Sequence, residues 1–101
     1  MSDRISQQSP IQQYRSLKIA LPLGMILFML LGDYYETFGE DAYVSSPILG
    51  SYLRLRGTNP MCGFHRSGVD TALAKFVRTG KSVALAERCD DGVFRVTRVV
   101  N

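Results

Sequence analysis

Residues 19–32 read Ile-Ala-Leu-Pro-Leu-Gly-Met-Ile-Leu-Phe-Met-Leu-Leu-Gly, fourteen consecutive residues without a charge or a hydroxyl. The fold turns on how this run is read. A stretch apolar at every position has no polar face, so length and flanks have to arbitrate between its readings. A membrane-crossing helix needs about 20 residues. The flanks extend the run toward that length. Leu17 adds an apolar residue, Lys18 can snorkel, and Tyr34 and Tyr35 suit the aromatic belt at a membrane surface. Leu17 to Tyr35 is 19 residues. At ~1.5 Å per residue this spans about 28 Å, close to a hydrocarbon core of ~30 Å.

Residues 17–35 are therefore expected to form a single transmembrane helix. A cleaved signal peptide fits the length of the apolar run, but no A-x-A pair precedes the bulky Tyr34 and Tyr35. A helix buried in a soluble core is the other alternative, and in 101 residues little chain is left to surround it. Pro22 would kink the helix. Ala20, Gly24 and Gly32 would give it a small-residue face for packing, including against a second copy of the chain.

Charge is unevenly distributed around the run. Residues 1–32 have a balance of +2, residues 33–50 carry four acids and no base, and residues 51–101 carry nine bases against four acids. The basic side of a membrane helix stays in the cytoplasm. Residues 1–16 are thus expected inside, 36–45 as a linker, and 46–101 as a small extracytoplasmic domain. In a bacterium this places the chain in the inner membrane with its C-terminal domain in the periplasm.

Local signals give that domain an α+β outline of two helices and a C-terminal β-hairpin. Ser46-Pro47 is a helix start, as Ser9-Pro10 is upstream. Ile48, Leu49, Tyr52, Leu53 and Leu55 form a partial stripe ending at Gly57. Val69, Ala72, Leu73, Phe76 and Val77 recur at helical spacing, and Gly80 ends that helix. Ser82–Arg88 and Val93–Val100 alternate like strands around an Asp91-Gly92 turn.

Cys62 and Cys89 are the only cysteines. In an exported module of this size they are expected to form a disulfide. Cys62, His65 and Cys89 with Asp90 also have metal-ligand character, but no second paired motif supports a metal site. His65 reads as a surface loop residue. The sequence holds no phosphate loop, dinucleotide fingerprint or nucleophile elbow, so neither an enzyme nor a cofactor is expected.

Arg54, Arg56, Lys75, Arg78, Arg95 and Arg98 are expected to form a basic face that contacts a partner. Outside the membrane the partner is an acidic protein, glycan or headgroup, and nucleic acid is not expected. The functional expectation is a non-enzymatic, single-span accessory subunit or small inhibitor. The alternative is a soluble basic binder of nucleic acid or an acidic protein, with residues 19–31 buried as a core or dimer helix.

Overall fold

The computed structural model describes residues 2–101, and the uncharged run does not form a helix. A short helix α1, Ser2–Ser6, precedes α2, Pro10–Ala20. The Ser9-Pro10 signal sets the start of α2. Ser9 Oγ accepts from Gln12 N at 3.2 Å, and Gln12 Oε1 accepts from Ser9 N at 2.9 Å. The helix stops at Ala20, because the residue before a proline is driven out of the α region and Leu21 is extended. A turn follows through Pro22 and Gly24, the latter at φ 81°.

The rest of the run is strand β1, Ile26–Leu31. A two-residue turn, with Gly32 at φ 64° and Asp33, leads into β2, Tyr34–Phe38. Helix α3, Glu40–Leu49, contains Pro47 and ends at Gly50 in the left-handed region. Two antiparallel strands follow, β3, Arg54–Arg56, and β4, Asn59–His65. After one 3-10 turn come α4, Val69–Arg78, then β5, Val83–Arg88, and β6, Phe94–Val100.

The sheet order is β3-β4-β2-β1-β5-β6, with β1 and β5 parallel and every other pair antiparallel. Successive residues of β1 pack on opposite faces. Leu27 and Met29 join Tyr14, Phe38, Ala84 and Phe94 under α2. Ile26 and Phe28 join Leu73, Phe76, Val83 and Leu85 under α4. A central strand covered on both faces has no polar side, which is why this one reads as an unbroken apolar run.

The expected architecture is corrected accordingly. Among the described residues no helix is long and apolar enough to cross a membrane. Residues 17–35 are the end of α2, a turn, β1, a second turn and the start of β2. Residues 36–45 are not a linker but the end of β2 and most of α3. The helix expected from Ser46 is the last turn of α3, followed by a loop and the edge strand β3. The helix from Val69 and the hairpin around Asp91-Gly92 are present.

A buried polar node joins the layers. Asp41, at the head of α3, accepts from Tyr14 Oη at 2.9 Å and from Leu27 N at 3.1 Å. Lys18 Nζ lies 2.9 Å from the same carboxylate and also donates to Met25 O. Burial, reinforced by the Asp41 charge, pushes the Tyr14 hydroxyl far above its usual range. The node ties α2 to β1 and α3, and so fixes the β1–β2 hairpin on its scaffold.

Candidate functional site

The β1–β2 turn projects one aromatic side chain from the end of the sheet. Tyr34 is 48% exposed, although it opens a strand whose next four residues are buried. Its register partner is His65 on β4, and the two rings meet edge-on with centroids 5.1 Å apart. His65 is held in turn, since its Nδ1 accepts from Ser67 N at 3.1 Å and lies 2.8 Å from Ser67 Oγ. Arg66 N donates to Asp33 O at 2.8 Å, and the Arg66 side chain reaches the Asp33 carboxylate at 3.5 Å. The tip is therefore braced by β4 and by the turn that follows it.

Glu36 is two residues along β2 from Tyr34 and shares its face of the sheet. It is 5% exposed. Both of its carboxylate oxygens accept from Arg54 Nη2, at 2.8 and 2.9 Å. The pair spans β4, which lies between β2 and β3. Gly63 makes the crossing possible: a Cβ there would come within 2.7 Å of Glu36 Oε2 and 2.0 Å of Tyr35 O.

The remaining expected site residues are dispersed. Lys18 is bound into the Asp41 node rather than placed at a membrane surface. Tyr35 is buried and stacked on Phe64 at 5.5 Å. Ala20 ends α2, while Gly24 and Gly32 form the two turns flanking β1, so they share no helical face.

Nor do the six bases form one face. Arg54 and Arg56 lie on edge strand β3, Arg95 and Arg98 on the opposite edge strand β6, and Lys75 and Arg78 on α4. Arg95 pairs with Asp91 at 2.7 Å and Arg98 with Asp70 at 3.7 Å, while Lys75 donates to Leu49 O at 3.3 Å.

Cys62 and Cys89 are both free thiols. Strands β2 and β1 lie between β4, which carries Cys62, and β5, whose end precedes Cys89. Three strand spacings are about 14 Å, beyond the ~7 Å Cα separation a disulfide tolerates. The expected Cys62–Cys89 bridge is therefore replaced by a buried and a half-exposed thiol. Burial, helped by Glu36 and opposed by Arg54, pushes the Cys62 thiol up to about 11. Among the described residues no group of three or more His, Cys, Asp and Glu could hold a metal ion.

At this end of the sheet an exposed, braced aromatic stands two residues from a buried carboxylate. Residues 8–100 match the family described as MutS domain I. The chain belongs to the MutS domain I family. It is 44% identical over 98 residues to the DNA mismatch repair protein MutS of Desulfitobacterium hafniense, covering 86% of this chain and 11% of that protein. The corresponding protein of Porphyromonas gingivalis is 38% identical over 96 residues, covering 90% and 11%. That of Flavobacterium johnsoniae is 36% identical over 95 residues, covering 88% and 11%. The chain thus spans about a tenth of the length of these curated relatives.

Membership of the MutS domain I family overturns the membrane assignment. A single-span accessory subunit or inhibitor, an inner-membrane location and a periplasmic domain all rested on a helix at 17–35 that does not exist. The expectation against nucleic acid rested on the same placement and falls with it. The alternative, a basic binder of nucleic acid or an acidic protein with residues 19–31 as a buried core or dimer helix, fits better, with the correction that Met25–Leu31 enters the core, mostly as a strand, while Ile19 and Leu23 are exposed. The sequence did carry a signal for it. Seven apolar residues, Met25–Leu31, stand between Gly24 and Gly32, a length and punctuation proper to a buried strand.

Proposed function

We propose that this chain is a DNA-contacting module of a mismatch-repair MutS protein, and that the Tyr34 ring meets the bases. The observation that carries the reading is the exposed Tyr34 ring at the end of a two-residue turn, braced by His65. Side chains that enter a duplex between base pairs kink it at the cost of unstacking a few kcal/mol per step. That cost is least where a base is already mispaired. A rigid aromatic at a sheet end therefore favours a mismatched site without reading any base edge. The relatives' designation as DNA mismatch repair proteins supports the same reading. We further infer that the module acts by binding alone, with no chemistry of its own.

The test is equilibrium binding to two labelled duplexes, one fully paired and one carrying a single mismatch. The chain is expected to bind the mismatched duplex more tightly. Tyr34→Ala is expected to weaken that complex by about 1–3 kcal/mol, the range for base–aromatic contacts, and to remove most of the preference. No binding to either duplex at low salt, or an unchanged preference in Tyr34→Ala, overturns the proposal.

A further inference from the structure

Among the described residues, one arginine at the Tyr34 end of the sheet has no partner. Pairing register places Tyr34 opposite His65 and opposite Leu31, and places Arg88 opposite Phe94. The parallel β1–β5 register, Met29 with Ala86, brings Leu31 beside Arg88 when continued to the ends of both strands. His65, Tyr34, Leu31, Arg88 and Phe94 thus form one cross-strand row, and directly opposed residues project from the same face. Tyr34 and Arg88 stand two strand spacings apart, ~10 Å.

The other arginines at this end are occupied, Arg66 by Asp33 and Arg95 by Asp91. Among the described residues Arg88 has neither an acid nor a hydrogen-bond partner. It is exposed, with its guanidinium over Gly92, where an added Cβ would lie 3.6 Å from Nη2. It also borders a cavity of ≈ 310 Å³ lined in part by Gln8, Leu31, Gly32 and Phe94. An uncompensated guanidinium in a row with an exposed ring, at the mouth of a hollow, suits an anionic oxygen carried by the same ligand that meets the ring.

We propose that Arg88 holds a backbone phosphate of the DNA strand whose bases Tyr34 meets. This rests on the reading of the Tyr34 tip as a DNA interface. A phosphate contact positions the duplex and carries no sequence information. Its signature is uniform loss of affinity together with a smaller salt dependence.

The experiment measures affinity for the paired and mismatched duplexes across a salt series, with the wild-type chain and three variants. Arg88→Gln is expected to weaken both complexes by the same factor and to reduce the slope of log K against log salt by about 1. Arg88→Lys is expected to keep the slope, because an ammonium also neutralises a phosphate. Lys81→Gln removes the same charge at the other end of the sheet, beside the Pro22–Gly24 turn, and is expected to change neither quantity. Three outcomes overturn the proposal: an unchanged slope in Arg88→Gln, an equal loss in Lys81→Gln, or a loss confined to the mismatched duplex. Each of these leaves the Tyr34 reading standing. Absence of DNA binding by the wild-type chain overturns both.

Discussion

Glu36 and Arg54 are joined across an intervening strand. Arg54 Nη2 on β3 lies 2.8 Å from Glu36 Oε1 and 2.9 Å from Oε2 on β2, with β4 between them. The carboxylate side chain is 7% exposed and the guanidinium 53%. The acid has been taken out of water while its partner stays at the edge. Removing the arginine strands the acid, whereas removing the acid leaves a base that water can solvate.

Arg54→Ala is therefore expected to destabilise the fold more than Glu36→Gln does. Stranding one member of a fully buried pair costs about 3–5 kcal/mol. Exposure of Arg54 discounts this to roughly 1–2 kcal/mol. Urea denaturation of the two single variants and the double variant measures it. Adding Glu36→Gln to Arg54→Ala should recover part of the loss, and equal midpoints for wild type and Arg54→Ala would refute the asymmetry.

Gly63→Ala is expected to cost about 2–3 kcal/mol, toward the upper end for an overpacked site. The new methyl would meet the Tyr35 carbonyl, which is backbone and cannot swing aside, as well as the Glu36 carboxylate. Gly68→Ala serves as the comparison, because a Cβ there meets nothing within 4 Å. Thermal unfolding of the two variants should separate them clearly, and similar melting temperatures would show that the strands yield.

Asp91 gives the hairpin a definite acid response. Hydrogen bonds from Arg95 and then from Val93 N–H hold its carboxyl down at about 2, against an ordinary value of 3.8. A depressed folded-state pKa means that the contribution is complete above the unfolded value. It fades as pH falls from roughly 4 toward 2. NMR titration of the Asp91 side chain should show a midpoint near that value in the wild type. In Arg95→Gln the midpoint should rise toward the usual carboxylate range of about 3.9.

The two thiols should differ sharply toward alkylating reagents. Cys89 is half-exposed, whereas Cys62 is fully buried, with its thiol donating to Ala42 O at 3.4 Å and pushed up to about 11. Thiolate is the reactive form, so Cys62 is protected twice. Mass spectrometry after brief labelling of native protein at neutral pH is expected to find one modified thiol, and two only after denaturation. Two rapidly modified thiols, or none without reduction, would contradict the structure.

Signals confined to a few residues were legible along the chain. Ser9-Pro10 marks the start of α2 and Gly80 follows α4 closely. Val69, Ala72, Leu73 and Phe76 define the buried side of α4, and Asp91-Gly92 makes the hairpin turn. Each depends on neighbours at most a turn away, and local backbone preferences act at that range. Tyr34 and Cys62 were singled out for their residue types. Their settings, a braced exposed ring and a thiol under α3, come from strand partners far along the chain.

What the amino-acid order alone determined is the alternation of helix caps, turns and apolar segments. The tertiary structure decided which of those segments lies at the centre. Met25–Leu31 became a strand rather than a membrane helix because β2 and β5 saturate its backbone on either side, and α2 and α4 cover its two faces. An apolar run can be buried by lipid or by protein, and its own residues are the same in both cases. Only the partners brought in by folding distinguish the two. The same partners leave Tyr34 as the exposed aromatic at the end of the sheet.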